Sequence, residues 1–393
     1  MPWETKESFA RDWTKCHTGD QDVNDPNMVP CEPGQLTVEG EKMCRELGKR
    51  FRAEYGSLVT SDFLESFSTG KVDPYTTDVG RTKLSLKRVL EGMFPGSTIP
   101  DSLIESRAVL TTGTGVDTDC CSNLVRKHHE ASQEVTASLA THAGVEQLAQ
   151  ALEKAFGADP RPYWVGIGDW AHTRTFHGLP LRDDVPTKYL PLIEHAAWRR
   201  FNHLMGGHFD IVHFRAGRLV HELVSNATAA AKGSKSEPTL RIYSGHDTTL
   251  CPLAGALGIP LVSWPPFSSH IVLELWRERP EAHGDQFPRL TAAQEVEQSK
   301  EMMLITDPRS KHPDVILESP VDGTKLPHIR SDQPSNKVFH DPHIVRILFN
   351  GTLVKAMPLS VLEESVKFFR IPDNESFQQL CGEYDPNLKK PAW

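Results

Sequence analysis

Apolar residues recur every fourth position at Met43, Leu47, Phe51 and Tyr55, which predicts an amphipathic helix ending near Gly56. Thr37 stands where its side chain would cap that helix. Glu39 and Glu41 fall in the first turn, where acids favour the positive helix end. A second stripe (Leu84, Val89, Leu90, Met93 and Phe94) predicts another helix, stopped by Pro95-Gly96. Ahead of it, Tyr75–Gly80 reads as an extended segment turning into the helix. From Ser102 to Lys232 the pattern is mostly helical, most clearly over Val145–Phe156, Leu190–Leu204 and Ala216–Ala231. Apolar or alternating runs at Leu240–Tyr243, Ile271–Trp276 and Ile344–Phe349 predict strands, and Met357–Phe369 predicts a last helix.

The residues before Leu36 hold no convincing strand or amphipathic helix, and Asp20–Pro33, rich in Asp, Asn and Pro, reads as loop. The charged, proline-rich stretch Arg279–Asn336 reads as a long insertion between two strands. Strand–helix units at both ends with a helical middle predict an α/β core interrupted by a cap. The expected division is 1–33 irregular, 34–101 and 233–393 core, and 102–232 helical cap. The length of 393 residues accommodates it, and 38% hydrophobic content excludes disorder as a whole-chain description. Lys and Arg total 43 against 52 Asp and Glu, a net charge of -9 with no basic run, which argues against a nucleic-acid partner. No apolar run approaches about 18 residues, so no transmembrane helix is expected. Met1–Trp13 lacks the apolar stretch of a signal peptide. Seven cysteines without CxxC spacing fit buried thiols or a few disulfides. Sequons at Asn226, Asn350 and Asn374 lean toward the secretory pathway as a glycoprotein.

Two places carry candidate chemistry. Ser244-Gly245-His246-Asp247-Thr248-Thr249 directly follows the Leu240–Tyr243 strand, and ligands of open α/β sheets bind beyond the carboxyl ends of strands. His246 and Asp247 there suit contact with an anion and proton supply to a leaving group. The competing reading is a plain helix start, with Asp247 or Thr248 satisfying free backbone N–H groups. Arg81 lies at the turn into the second helix, where a guanidinium and a helix N-terminus together suit a phosphate or carboxylate. Its competing reading is a surface arginine paired with an acid such as Asp78.

Together the segments GQLTVEGEKMCRELGKRFRAEY, TTDVGRTKLSLKRVLEGMFP and YSGHDTTL, in that order, resemble the histidine acid phosphatase family, branch 2 of the histidine phosphatase superfamily. DWAHTRTFHGLPL, RAGRLVHEL, FSSHIVLELW and HIVRILFNGT fit the same resemblance, which runs from about Pro33 to Cys381. The VPCEPGQLT segment looks most similar to the phosphoxylose phosphatase relatives. The resemblance implies a core sheet flanked by helices, a mainly helical cap, and hydrolysis of phosphate monoesters through a phosphohistidine. It assigns proton donation to the leaving alcohol to Asp247 and binding of the phosphoryl group to His246 and Arg81. In-line phosphoryl transfer needs positive donors on the equatorial oxygens and an acid at the leaving oxygen. With His and Arg supplying the charge, no metal and no cofactor are expected. The expected partner is a phosphorylated small molecule or phosphosugar, and the family implies a secretory, lysosomal or extracellular location.

One departure is plain. The family's nucleophile is the His of an Arg-His-Gly motif after the first core strand, and no Arg-His-Gly occurs in this sequence. That strand is expected to be missing, and the only candidate nucleophile upstream of Leu36 is His17, in a segment without the motif's arginines. Two expectations compete: a truncated form of an active enzyme, or a silent relative that binds phosphorylated ligands or a protein partner. Other features read as structural. His128-His129-Glu130 suits a solvated polar face, and His208 and His213 are wrongly spaced for paired ligands on a helix. Cys120-Cys121 reads as structural or unpaired. Trp170, His172 and Phe176 could line the substrate side of the cap, with core packing the default for the aromatics.

Overall fold

The computed structural model describes residues 34–106, 121–181, 185, 187–234, 238–277 and 342–383. The chain divides into two compact units, Met1–Thr114 with Thr228–Asp247, and Gly115–Ala227 with Thr248–Trp393. The class is mixed α/β, with one parallel and one antiparallel three-stranded sheet among the described residues.

In the first unit, α1 (Val38–Tyr55) begins on Thr37, whose side chain accepts from the Gly40 N–H at 3.2 Å, the cap read from the sequence. Its buried face runs through Glu41, Cys44, Leu47 and Gly48. The reason lies in α3 (Gly80–Met93). A Cβ on Gly48 would lie 2.0 Å from the Val89 carbonyl oxygen, and one on Gly92 would lie 2.1 Å from that of Arg45. Backbone meets backbone at this crossing, and only glycine leaves room. Glu41 lies in the first turn of α1 as expected, and it is also buried at this crossing. It accepts from Arg88 Nε at 2.8 Å, Arg88 Nη1 reaches Glu91 at 2.6 Å, and Arg45 Nε reaches Glu91 at 3.1 Å. Two ions withdrawn from water each need the other.

Below the helices, Val59, Phe63, Val72, Leu86, Leu90, Met93, Phe94 and Ile99 form the core, to which α2 (Phe63–Ser68) contributes Phe63, edge-on to Phe94 at 5.6 Å. Strand β1 (Val72–Thr76) lies between β2 (Glu105–Ser106) and β3 (Leu240–Ser244), all parallel. The strand starts ahead of the Tyr75 read from the pattern, and residues 77–79 make the turn.

The second unit contains α4 (Ser122–Ala140), α5 (Ala143–Phe156), α6 (Trp164–Phe176), α7 (Leu190–Met205), α8 (Phe209–Ala231, as far as Ala227) and α9, which runs Asp247–Leu257 from the last residue of the first unit. Strands β4 (Ile271–Arg277), β5 (His343–Phe349) and β6 (Thr352–Pro358) pair antiparallel, followed by α10 (Leu359–Ser365) and α11 (Asn374–Cys381). Three expectations change here. Helix α8 starts at Phe209 rather than Ala216. Met357 and Pro358 close β6 instead of opening a helix, because Asn350 and Gly351, at φ 50° and 84°, turn the chain into a hairpin. His128 is not on a solvated face: it is 2% exposed, and its Nε2 accepts from Arg215 Nε at 3.3 Å. It continues the buried row Leu124, Ala131 and Val135 at helical spacing, a stripe its polarity concealed. Burial lowers the Arg215 pKa to about 9.

Trp164 and Trp170 are core residues, and Phe201 stacks on Trp264 at 4.4 Å. A disulfide joins Cys121, at the start of α4, to Cys381, at the end of α11, while Cys44 and Cys251 are buried free thiols. His17 and the Arg279–Asn336 stretch lie outside the described residues. No described helix is long and apolar enough to cross a membrane.

The glycine crossing makes a direct prediction. Gly92→Ala, which removes no polar side chain, should destabilise the protein by about 2–3 kcal/mol through overpacking. Urea unfolding with an unchanged midpoint would contradict it.

Candidate functional site

The parallel register sets Tyr75 against Tyr243 and Thr76 against Ser244, so β1 and β3 end at the same edge of the sheet. One more bond, Thr77 N–H to Ser244 O at 3.1 Å, carries the ladder past the last strand residue. Beyond that edge the chain from β1 turns through Asp78 and Val79 into α3, and the chain from β3 runs through Gly245 and His246 into α9. Helix α3 begins without a side-chain cap at Val79.

Arg81 sits in the first turn of α3, with its side chain exposed. Its Nη2 lies 3.3 Å from Nδ1 of His246, 165 positions away in sequence. The expected competitor for Arg81 is engaged elsewhere. Asp78 pairs with Lys83, and that hydrogen bond lowers the Asp78 pKa. Among the described residues Arg81 has no carboxylate partner. Gly34, at φ 83°, turns the chain beside the guanidinium, and a Cβ there would lie 3.5 Å from Arg81 Nη1, an ordinary contact.

His246 is half-buried and held on both sides. Its Nε2 lies 3.0 Å from Thr77 Oγ1, which lies 2.6 Å from Thr82 Oγ1. Thr82 Oγ1 in turn lies 2.8 Å from Val79 O, and Ser244 Oγ donates to Thr82 O at 2.9 Å. Burial first, and the Arg81 charge second, lower the His246 pKa to about 4. The ring is therefore neutral at the pH of most assays.

The structure thus brings Arg81 and His246 together, and Asp247 follows His246 as the first residue of α9. Thr77 and Thr82 were not singled out in the sequence, although both flank the Asp-Val-Gly-Arg turn. Their signal was their place, two hydroxyls between a strand end and a helix start. Among the described residues, no three His, Cys, Asp or Glu side chains gather as a metal-binding group. A guanidinium that is exposed and has no carboxylate partner among the described residues, beside an imidazole, suits an anion.

A family model described as the histidine phosphatase superfamily (branch 2) matches residues 2–212 and 211–293. The chain belongs to the histidine phosphatase superfamily, branch 2. Relatives include counting factor 60 of Dictyostelium discoideum, 24% identical over 277 residues covering 65% of this chain and 63% of that protein. Lysosomal acid phosphatase of Xenopus laevis is 25% identical over 281 residues, covering 68% and 64%. The match thus spans slightly under two thirds of these relatives. A shorter stretch of 68 residues, 17% of this chain, is 34% identical to human 2-phosphoxylose phosphatase 1, of which it covers 14%. Among solved structures, the phytase from Citrobacter braakii superposes with a TM-score of 0.56 at 13% identity, covering 91% of this chain and 92% of that one. This likeness is one of fold.

The low His246 pKa has a consequence for stability. An unfolded chain protonates this ring near its ordinary 6.5, whereas the folded chain refuses the proton until about pH 4. Between those values the unfolded state binds more protons, so this contribution is present above pH 6.5 and lost as pH falls toward 4. Removing the charge in Arg81→Gln should raise the His246 pKa only partway, since burial is the larger cause. An NMR titration of His246 that does not move in Arg81→Gln would refute the assignment.

Proposed function

We propose that this chain binds phosphate monoesters at Arg81 and His246 and hydrolyses them, with Asp247 as the acid for the leaving alcohol. The observation that carries the reading is the approach of Arg81 Nη2 to His246 Nδ1, 3.3 Å apart, at the carboxyl edge of a parallel sheet. A planar fork of donors and an adjacent imidazole match the equatorial oxygens of a transferring phosphoryl group. In the reaction, a histidine nitrogen forms a bond to phosphorus as the ester P–O bond breaks, and the Asp247 carboxyl gives its proton to the departing alkoxide. Water then attacks the phosphohistidine, returning its proton to Asp247 and releasing phosphate.

The attacking histidine is not assigned among the described residues: the family's Arg-His-Gly is absent from the sequence, and His17 is the one candidate it offers upstream of Leu36. A second reading is favoured by one specific observation, the absence of Arg-His-Gly from the sequence. In that case the site retains its clamp and binds phosphorylated ligands without turnover. In both readings residues 102–232 form the cap, 34–101 with 233–393 form the α/β core, and the ligand is a phosphorylated small molecule or phosphosugar. The location proposed is the secretory route, lysosomal or extracellular. The Cys121–Cys381 disulfide supports it. Of the three sequons, Asn374 is the exposed one, whereas Asn350 accepts from the His270 N–H at 2.9 Å within its hairpin turn and Asn226 lies half-buried inside α8. Asn374 is the glycan site in this reading.

Orthovanadate calorimetry and hydrolysis of a chromogenic phosphate ester at acidic pH separate the readings. Arg81→Ala should weaken vanadate binding roughly 10–100-fold, the range of a lost charged hydrogen bond. Turnover supports the hydrolase, its loss in His17→Ala would make that residue the nucleophile, and binding without turnover supports the silent binder. Folded protein that neither binds nor turns over has no such site. For the location, protein from a secretory host should lose mass on deglycosylation, and Asn374→Gln should remove that loss. A wild type with no mass change argues against the glycan.

A further inference from the structure

We propose that Thr77 and Thr82 are positioning residues for His246, their two buried hydroxyls deciding which ring nitrogen carries the proton and which faces the ligand. This rests on the reading of Arg81 and His246 as the phosphoryl clamp, and adds the device that orients it. The four groups lie in one line of short contacts: Arg81 Nη2 to His246 Nδ1 at 3.3 Å, His246 Nε2 to Thr77 Oγ1 at 3.0 Å, Thr77 Oγ1 to Thr82 Oγ1 at 2.6 Å, and Thr82 Oγ1 to Val79 O at 2.8 Å.

The two ends of the line fix its direction. A carbonyl oxygen only accepts, so Thr82 donates to Val79 O, and Thr77 must then donate to Thr82. With its proton spent, Thr77 accepts from the ring, which places the imidazole proton on Nε2. A guanidinium only donates, so Arg81 needs a lone pair on Nδ1, and a ring protonated at Nε2 supplies it. Both ends demand the same tautomer. The hydroxyls are well chosen for this work because water cannot replace them: Thr77 is fully buried and Thr82 is 4% exposed. The backbone holds them in place, with Thr77 N–H bonded to Ser244 O at 3.1 Å and Ser244 Oγ bonded to Thr82 O at 2.9 Å.

The functional consequence concerns which atom meets the ligand. Since Nε2 already carries its proton, any further proton enters at Nδ1, on the side of Arg81 where the phosphoryl group is proposed to sit. Burial is the larger cause of the ring's low proton affinity, and the smaller one, the Arg81 charge, agrees with Nδ1 facing a cation. Without the Thr77 hydroxyl, Nε2–H loses its acceptor and the ring can turn over or change tautomer, and the clamp loses its orientation.

The test uses the full chain labelled with 15N-histidine. The nitrogen shifts of wild-type His246 should report the Nε2–H form. Thr77→Val, nearly the same shape without the hydroxyl, leaves only Arg81 favouring that form, so it should shift part of the population away from it and weaken vanadate binding roughly tenfold, the scale of one hydrogen bond. Thr77→Ser should restore both, which a merely structural role at this position does not predict for the shifts. A Thr77→Val protein that keeps the Nε2–H form and wild-type vanadate affinity overturns the proposal. If that variant does not fold, the wild-type spectrum still decides, because Nδ1–H in the wild type refutes the directed chain. Wild-type protein with the Nε2–H form that binds no vanadate refutes the clamp and leaves the hydroxyl chain standing. Vanadate binding with Nδ1–H does the reverse.

Discussion

The site depends on the parallel pairing of β1 with β3. Five residues on each strand fix the register, and the Thr77–Ser244 bond carries it one residue further, to the point where both chains leave the sheet. A slip by one residue would turn every side chain to the opposite face. It would also part Thr77 from His246, and with them the guanidinium from the imidazole. The core residues Val72, Leu86 and Leu90, with Leu240 and Ile242 packed against them, resist such a slip, because the strands and α3 share one apolar cluster.

Helix α3 carries two loads. Its first turn holds Arg81 and Thr82, while its last turns are pressed against α1 at Gly92 and Met93. Where helices approach to backbone contact, little side-chain volume is left to give, so the helix is held firmly along its length. The ion set of Glu41, Arg88, Glu91 and Arg45 lies on the same contact. Rigidity at that end supports precision at the other, since a clamp on a phosphoryl group loses its value if it wanders by an ångström.

Much of the fold was legible because its signals are local. Thr37 as cap, the helices through Phe51 and Leu90, and the strands at Leu240 and Ile271 all follow from spacing that a single segment carries. The misses share a cause as well. His128 belongs to a buried row, but a polar side chain breaks an apolar pattern, and its partner Arg215 comes from another helix. Glu41 sits in the first turn as its position predicts, but its burial against Arg88, 47 positions on, has no local signal. Asn350-Gly351, noticed first as a sequon, is the turn that makes β6.

For the candidate site, the sequence by itself determined the chemical inventory: Arg81 at a helix start, His246 and Asp247 after a strand, and no Arg-His-Gly. Residue type and local order are written in the chain. What only the tertiary structure decided is which of these groups meet and in what state. The 3.3 Å approach of Arg81 to His246 spans 165 positions and exists only once β1 and β3 pair. The ring's neutrality comes from burial and from the Arg81 charge, and its orientation from Thr77 and Thr82. Desolvation and hydrogen-bond direction depend on neighbours in space, and a folded chain is what supplies them.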